Sequence, residues 1–168
     1  AWPEEELIRI FKDYGEEKNA RKIAKAIVEA RKQAKIETTG ELVEIIGGRD
    51  IKTLARIFQA LRIAVNNELE NIQLGLEGAW RMLKPGGLAS PSPSQGGPAS
   101  PSQGGRLAAI SFHSLEDRIV KNFFKERKIS GDAEILTPKP VTPSKEEVGS
   151  NSRSRSAKLR AIRKMTND

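Results

Sequence analysis

Hydrophobic positions recur at helical spacing through the first fifty residues of the chain. This spacing predicts a short helix over 4–13 and a second helix from Glu16 to about Lys32. The run Thr38-Thr39-Gly40-Glu41 has capping-box spacing and predicts the start of a third helix. That helix is expected to stop at Gly47-Gly48, because glycine adopts the backbone conformation that commonly ends helices. The first fifty residues therefore predict a helical region.

The longest amphipathic stretch lies in the middle of the chain. From about Thr53 to Leu83 apolar residues keep helical spacing for roughly eight turns, which predicts one long helix. Gly75 and Gly78 are the positions at which we expect this helix to bend or break. The helical spacing of apolar residues is absent from the segment Arg106 to Phe112, which is a short continuous apolar run after Gly-Gly. Such a run is typical of a buried strand in a parallel sheet.

The last third of the chain predicts one more helix and two more strands. Ser114 is positioned to cap a helix that runs to about Lys128. Strands are expected over 134–137 and 157–163. The order of helix, turn, strand and helix indicates an α/β fold. In that fold we expect 134–137 to supply one neighbour of 106–112, and the two late strands to pair with each other.

Residues 88–105 differ in composition from the rest of the chain. They read LASPSPSQGGPASPSQGG, a tandem near-repeat without charge, which predicts a disordered linker. Gly86-Gly87 precedes the repeat and Gly104-Gly105 ends it, so we interpret the segment as an expansion within a surface turn. The predicted organisation is a helical region over 1–50, a long helix over 51–87, the linker over 88–105, and the final strands and helix over 106–168.

The composition excludes several classes of site and of protein. The 168 residues include no cysteine and one histidine, which excludes disulfides, thiolate metal sites and a pair of histidine ligands. We therefore expect no metal. No apolar run approaches the ~18 residues that a membrane-spanning helix needs. The acidic start AWPEEELIRIF lacks the basic region of a signal peptide, so we expect a cytoplasmic protein.

Positive charge is concentrated at the end of the chain. There are 29 Lys and Arg against 22 Asp and Glu, a net charge of +7, and residues 151–168 hold most of the excess. In this segment serine and arginine alternate before the predicted strand, a pattern that suits phosphate oxygens of a nucleic acid. The candidate phosphate-binding residues are Arg153, Arg155, Lys158 and Arg160. The alternatives are a solvated tail and salt pairing with the helical region.

A second candidate site follows the apolar strand. Ser111, His113 and Ser114 stand at its carboxyl end, where ligands bind in open α/β sheets. The alternative is that Ser114 is only a helix cap and His113 a surface residue. A serine nucleophile is disfavoured because no G-x-S-x-G elbow exists. A phosphate-binding loop is disfavoured because no glycine-rich motif follows a strand.

Four long blocks of the sequence resemble the ribosomal RNA small subunit methyltransferase H family. They are YGEEKNARKIAKAIVEAR (14–31), FQALRIAVNNELE (58–70), ISFHSLEDRIVKNFF (110–124) and SRSAKLRAIRK (154–164). The resemblance implies an enzyme that uses S-adenosyl-L-methionine to methylate the N4 amine of a cytidine in 16S rRNA. It also implies the C-terminal part of a class I (Rossmann-like) methyltransferase fold with a helical insertion domain. Residues 1–50 are similar to that insertion, and 51–168 are similar to the return to the methyltransferase sheet.

The family's N-terminal half, with its glycine-rich cofactor loop, has no counterpart in this sequence. The resemblance therefore assigns no cofactor-binding or catalytic residue here. It implies that Ser111, His113 and Ser114 lie on the substrate side, near a flipped cytosine, and that the four cations hold rRNA phosphates. We expect the chain alone to be inactive and to need a cofactor-binding half or to self-associate. The alternatives are one half of a split methyltransferase and a non-catalytic module for RNA binding or ribosome assembly.

Overall fold

The computed structural model describes residues 1–48, 50–86 and 104–165, which form two compact units. The helical unit is Ala1–Glu68 and the sheet unit is Leu69–Asp168. The predicted linker lies outside the described residues except for its last two glycines. Its disorder therefore stays a prediction, and so do the domain boundaries drawn around it. No helix among the described residues is long and apolar enough to cross a membrane.

Four helices form the helical unit, and each presents an apolar face to a common core. They are α1 (Glu4–Asp13), α2 (Ala20–Gln33), α3 (Thr39–Ile46) and α4 (Ile51–Asn66). The predicted bounds of α1 are confirmed, and so are the capping box at Thr38 and the glycine stop of α3 at Gly47. The buried core is composed of Leu7, Ile10, Phe11, Ala20, Ile23, Ala24, Ile27, Ile57 and Ala60.

A buried carboxylate explains why α2 begins later than predicted. Glu17 is buried, and its side chain accepts hydrogen bonds from the Asn19 amide at 2.9 Å and from Arg56 Nε at 2.7 Å. Burial alone would favour the neutral acid, but these donors outweigh it, so the pKa of Glu17 lies below its ordinary value. The residues before Ala20 therefore form a turn around this carboxylate. Gly15 adjoins it, where a Cβ would lie only 2.9 Å from the Arg56 carbonyl oxygen.

The long helix predicted from Thr53 to Leu83 is two helices in the structure. The first, α4, ends at Asn66, and α5 spans Glu68–Met82. Asn67 between them has a φ of 52°, a left-handed conformation that asparagine tolerates better than most residues. Gly75 and Gly78, the predicted break points, lie inside α5. Apolar spacing depends on which positions are buried, and it is insensitive to the φ angle of a single residue. The spacing therefore continues across the break at Asn67.

The sheet unit is a mixed α/β structure with a small three-stranded sheet. After α5 it contains β1 (Arg106–Ser111), α6 (Ser114–Ile129), β2 (Ala133–Ile135), α7 (Lys145–Ser150), a 3₁₀ turn (Ser152–Ser156) and β3 (Lys158–Lys164). The strand order is β1-β3-β2, and both pairings are antiparallel. The predicted pairing of the two late strands is confirmed. The predicted position of 134–137 beside 106–112 is wrong, because β3 returns between them.

Helices α5 and α6 cover one face of this sheet. The buried cluster is composed of Leu76, Trp80, Val120, Phe123, Phe124, Ala133 and Ile162, with Leu107 and Ala109 of β1 packed against it. Lys164 ties the end of β3 to the end of α5, where its ammonium donates to the carbonyl oxygens of Trp80 and Leu83 at 3.0 Å. Positions along β1 alternate in exposure, so within the described residues the strand packs against the core with one face only.

Candidate functional site

The turn that joins β1 to α6 holds the first set of candidate residues. His113 has extended backbone and caps α6, since its Nδ1 accepts a hydrogen bond from the Glu116 amide at 3.3 Å. The Glu116 carboxylate accepts in return from the amides of Phe112 at 2.7 Å and His113 at 3.2 Å. This is a reciprocal capping box. The prediction that Ser114 is the cap is therefore wrong, because Ser114 is already the first residue of the helix.

The cap determines what the imidazole of His113 offers to a ligand. Because Nδ1 accepts a hydrogen bond, a neutral ring carries its proton on Nε2. Nε2 is 3.2 Å from a Glu116 carboxylate oxygen, but it makes no well-formed hydrogen bond within the described part of the chain. Of the amides in the first turn of α6, that of Glu116 already donates to His113 Nδ1. Nδ1 is therefore engaged in the cap and Nε2 is buried beside the Glu116 carboxylate, so His113 acts on this turn as a positioning residue.

The two serines of this turn have different surroundings. Ser111 is buried, and its hydroxyl donates to the Lys158 carbonyl oxygen at 3.4 Å. It therefore links the end of β1 to the beginning of β3. Ser114 is exposed on the first turn of α6. Phe112, which the sequence did not single out, is also exposed, at 54%.

Arg160 does not lie where a phosphate contact would need it. It is buried in the centre of β3, and its Nε and Nη2 donate to the two carboxylate oxygens of Asp117 at 2.7 and 3.1 Å. Lys158 approaches the same carboxylate at 3.6 Å. These hydrogen bonds and charges, Arg160 first, outweigh burial and hold the pKa of Asp117 below its ordinary value. This placement conflicts with the predicted phosphate contact of Arg160.

Arg153 and Arg155 lie on the surface of the 3₁₀ turn. The side chain of Asn151 accepts from the Arg153 amide at 3.2 Å, and the buried Ser154 hydroxyl donates to the Asn151 carbonyl oxygen at 2.8 Å. These bonds fix the turn and leave both arginines exposed. In the alternating run of serine and arginine, Ser154 therefore lies inside the turn, and the guanidinium groups of Arg153 and Arg155 lie outside it.

The pairing of the strands brings the two candidate sites to one end of the sheet. Ser111 at the end of β1 lies opposite Lys158 at the beginning of β3, directly after the 3₁₀ turn. The His113 turn and the exposed arginines therefore lie at the same end of the sheet. The sequence did not identify Asp117 as the partner of Arg160, or Glu116 as the capping partner of His113. The spacing of His113 and Glu116, which is that of a capping box, was a signal for the second of them.

No three histidine, aspartate or glutamate side chains converge as a metal site among the described ranges. The basic turn and the capped helix start instead provide exposed cations, an exposed serine hydroxyl and one exposed aromatic ring. Such groups can contact phosphates, hydrogen-bond a base and stack on it. The arrangement fits a polynucleotide better than a small anion, because an exposed aromatic ring at the same end of the sheet as the cations suits a base.

Comparison with known proteins shows the family of this chain. A family model described as the MraW methylase family matches residues 1–90 and 99–165. The chain is 49% identical over 169 residues to the Ribosomal RNA small subunit methyltransferase H of Persephonella marina, with 95% of this chain and 51% of the relative covered. Proteins of the same name match from Coprothermobacter proteolyticus, at 48% identity, and from a Sulfurihydrogenibium species, at 49%. In both, 96% of this chain is covered, with 50% and 52% of the relative.

This chain spans about half the length of the curated relatives it matches. The match nevertheless extends over both units of the structure, from the first helix to the last strand. It includes the His113 turn, the 3₁₀ turn and the buried Asp117–Arg160 pair. The chain belongs to the MraW methylase family.

Proposed function

We propose that this chain takes part in the methylation of the N4 amine of a cytidine in 16S rRNA, with S-adenosyl-L-methionine as methyl donor. The observation that carries the proposal is the near-complete coverage of this chain, at 48 and 49% identity, by relatives named as ribosomal RNA small subunit methyltransferases. The surface described above supports a role on the RNA side of the reaction. Work on the small ribosomal subunit would place the protein in the cytoplasm.

The 3₁₀ turn is the proposed contact with the RNA backbone. Arg153 and Arg155 are exposed and are held by a rigid turn, and Lys158 is half-buried at its end. Guanidinium groups bind phosphate oxygens in bidentate fashion, and such contacts position the RNA without reading its sequence. Arg160 is left out of this set because it is bound to Asp117.

The His113 turn is the proposed contact with the target base. A cytosine that is flipped out of its helix presents its O2 and N3 acceptors together with the N4 amine. The hydroxyl of Ser114 is an exposed donor that suits such acceptors, while His113 caps the helix that carries it and Ser111 holds the turn to β3. The amine's lone pair is conjugated into the ring, so the site must orient it and accept a proton. We assign no residue of this chain to that proton transfer.

The residues of this chain do not fit a site for S-adenosyl-L-methionine. The sequence has no glycine-rich loop after a strand, and in the first turn of α6 the Glu116 amide already donates to His113 Nδ1. We therefore derive no step through the cofactor, and we propose that the unmatched half of the family's length holds it. In the same proposal the three strands belong to a larger Rossmann-like sheet, and the helical unit is an insertion into that fold.

Methyl transfer to undermethylated 30S subunits tests this function. Tritium transfer is measured for the chain alone and for the chain joined to the part of the Persephonella marina relative that it does not match. Digestion to nucleosides and mass spectrometry then show whether the product is N4-methylcytidine. We expect that product from the joined protein only. Methylation at another atom or nucleoside would refute the cytidine N4 assignment.

A non-catalytic RNA-binding or assembly role is the second candidate, and the exposed arginines favour it because their placement needs no cofactor. The same assay separates the two candidates. Salt-sensitive binding to 16S rRNA by the joined protein without any methyl transfer would favour the assembly role.

A further inference from the structure

The first turn of α6 is joined to β3 by one carboxylate, that of Asp117. The Asp117 amide donates to the His113 carbonyl oxygen at 3.1 Å, so the backbone of this residue belongs to the turn that starts the helix. Its side chain contacts the sheet, where Arg160 Nε and Nη2 donate to its two oxygens at 2.7 and 3.1 Å. Lys158, the first residue of β3, lies 3.6 Å from the same carboxylate. One residue therefore connects the His113 turn to the beginning of β3.

The 3₁₀ turn adjoins the same part of β3. The Ala157 amide donates to the Ser154 carbonyl oxygen at 2.8 Å, and the strand starts at the next residue. Only Ala157 therefore separates the 3₁₀ turn from the strand to which Asp117 is bound. The two proposed RNA contacts, the His113 turn and the 3₁₀ turn, are connected to each other through the Asp117–Arg160 pair.

The backbone pairing of β1 with β3 does not by itself orient the His113 turn. The pairing ends at Ser111 opposite Lys158, and the turn follows after this last pair. Helix α6 packs on the sheet through Phe123 and Phe124, but apolar contacts are non-directional. The hydrogen bonds of a guanidinium to both oxygens of a carboxylate do specify an orientation, because the two parallel bonds need a planar arrangement.

The energetics of buried ion pairs also favour a positioning role over a purely stabilising one. Such a pair contributes little net stability, because the desolvation of both charges offsets their attraction, and apolar residues of similar volume often serve as well. Its best-attested use is to select one arrangement of the chain. We propose that Asp117 is a positioning residue, which holds the turn that contacts the target base at a fixed distance from the turn that contacts the RNA backbone. The inference rests on the proposed function, because both contacts belong to it.

A fixed distance matters because the two turns then act together on one RNA. Once the phosphates are bound, the base contact forms at high effective concentration if the two turns match the spacing of the RNA, and it adds nothing if they do not. Loss of the Asp117–Arg160 geometry should therefore remove the contribution of the target base to affinity and leave that of the phosphates. A pair that only stabilised the fold would weaken binding of every RNA equally, since apparent affinity scales with the folded fraction.

Two variants that keep every charge test this expectation. Arg160→Lys replaces the planar two-point donor by a single ammonium, and Asp117→Glu moves the carboxylate by one methylene group. The matched control is Glu77→Asp, which makes the same kind of change in the ion pair of Glu77 with Arg127, 2.6 Å apart, at the last turn of α6.

Each chain is titrated by fluorescence anisotropy against two RNAs. One is an unmethylated fragment of 16S rRNA. The other is the same fragment with an abasic nucleotide in place of the cytidine that carries the N4 methyl group in native 16S rRNA. The readout is the ratio of the two affinities, which a smaller folded fraction does not change.

We expect the native chain and Glu77→Asp to bind the intact fragment about tenfold more tightly than the abasic fragment, which is the contribution of one bound base. For Arg160→Lys and Asp117→Glu this ratio should fall below about twofold, with unchanged salt dependence for the abasic fragment. A ratio of about ten in both variants would overturn the positioning role and leave the proposed function standing. Equal binding of both RNAs by the native chain would refute the proposed base contact, and the inference with it.

Circular dichroism establishes whether each variant is folded under the binding conditions. If one variant is unfolded, the other carries the test. Unfolding of both would overturn the inference, because the pair would then be needed for the fold itself and not for the distance between the two turns. A fall of both affinities by the same factor would overturn it as well, and so would a fall in the ratio for Glu77→Asp.

Discussion

Replacing Arg160 with methionine separates a buried structural role from contact with RNA. The substitution keeps a long unbranched side chain but leaves the Asp117 carboxylate without its two closest donors, at 2.7 and 3.1 Å. Breaking a buried ion pair by removing one partner costs about 3–5 kcal/mol. Lys158, 3.6 Å from the same carboxylate and partly exposed, offsets part of the loss. We therefore expect Arg160→Met to lower the free energy of unfolding by about 3 kcal/mol.

Urea unfolding followed by tryptophan fluorescence measures this effect in the sheet unit. The chain has two tryptophans, Trp2 and Trp80, and only Trp80 belongs to the sheet unit. A Trp2→Phe background therefore lets Trp80 report alone. The matched control is Arg153→Met, an exposed arginine of the same segment, which should change stability by less than about 0.5 kcal/mol. An Asp117→Asn, Arg160→Met double variant should lose less than the sum of the single variants, because the two residues interact directly.

The pH dependence of stability gives the same pair a second test. The folded-state pKa of Asp117 is depressed, so its contribution is fully present above the unfolded pKa of about 3.9 and is lost as pH falls through the folded value. The stability difference between the native chain and Asp117→Asn should therefore shrink below about pH 4. Unchanged stability of Arg160→Met, together with a weaker salt dependence of RNA binding, would refute the structural role and return Arg160 to the phosphate-binding set.

Two further predictions concern the cofactor and the linker. The chain alone should show no saturable binding of S-adenosyl-L-methionine by calorimetry, because it has no glycine-rich loop after a strand; micromolar binding would contradict this. Deleting residues 88–103 should change the free energy of unfolding by less than about 2 kcal/mol, because the entropy of loop closure varies only logarithmically with length. Gly105 is retained because its amide donates to the Lys84 carbonyl oxygen at 2.8 Å. A large fall in melting temperature would show that the deleted segment packs on the fold.

Local signals in the sequence located most of the elements, because they act over a few residues. The bounds of α1, the capping box of α3 and its glycine stop all follow from neighbouring side chains. The break at Asn67 depends on a single left-handed residue, which apolar spacing does not record. The strand order depends on where β3 returns after more than twenty intervening residues, and no local pattern specifies that return.

For the candidate site too, local signals predicted the position of the residues but not the contacts that they make in the folded chain. The position of Ser111, His113 and Ser114 at a strand end followed from the change of hydrophobic period. Their individual roles did not follow, because the capping partner of His113 and the position of Ser111 opposite Lys158 are contacts of the folded chain. Arg160 was grouped with its basic neighbours because the buried carboxylate of Asp117, 43 residues earlier, gave no signal of the pairing.

The structure divides the basic residues at the end of the chain into two groups with different partners. Three of the six make contacts of 3.2 Å or less within the sheet unit, whereas Lys158 lies 3.6 Å from Asp117. Arg160 binds Asp117, Arg163 lies 3.2 Å from Glu134, and Lys164 donates to the end of α5. The other three are Arg153, Arg155 and Lys158 at the beginning of the segment. The formal charge of this segment therefore overstates how many cations are exposed for the proposed contact with RNA.

This division predicts the salt dependence of RNA binding by the sheet unit. Each neutralised phosphate of a single strand contributes about 0.7 to the slope of log K against log salt. Three contacts give a contribution of about 2 from this segment, whereas all six basic residues would give about 4. Arg153→Ala with Arg155→Ala should lower the slope by about 1.4, and Arg163→Ala should leave it unchanged. Fluorescence anisotropy with a fragment of 16S rRNA over a salt series measures both variants. An equal fall in slope for Arg163→Ala would show that the strand itself binds RNA.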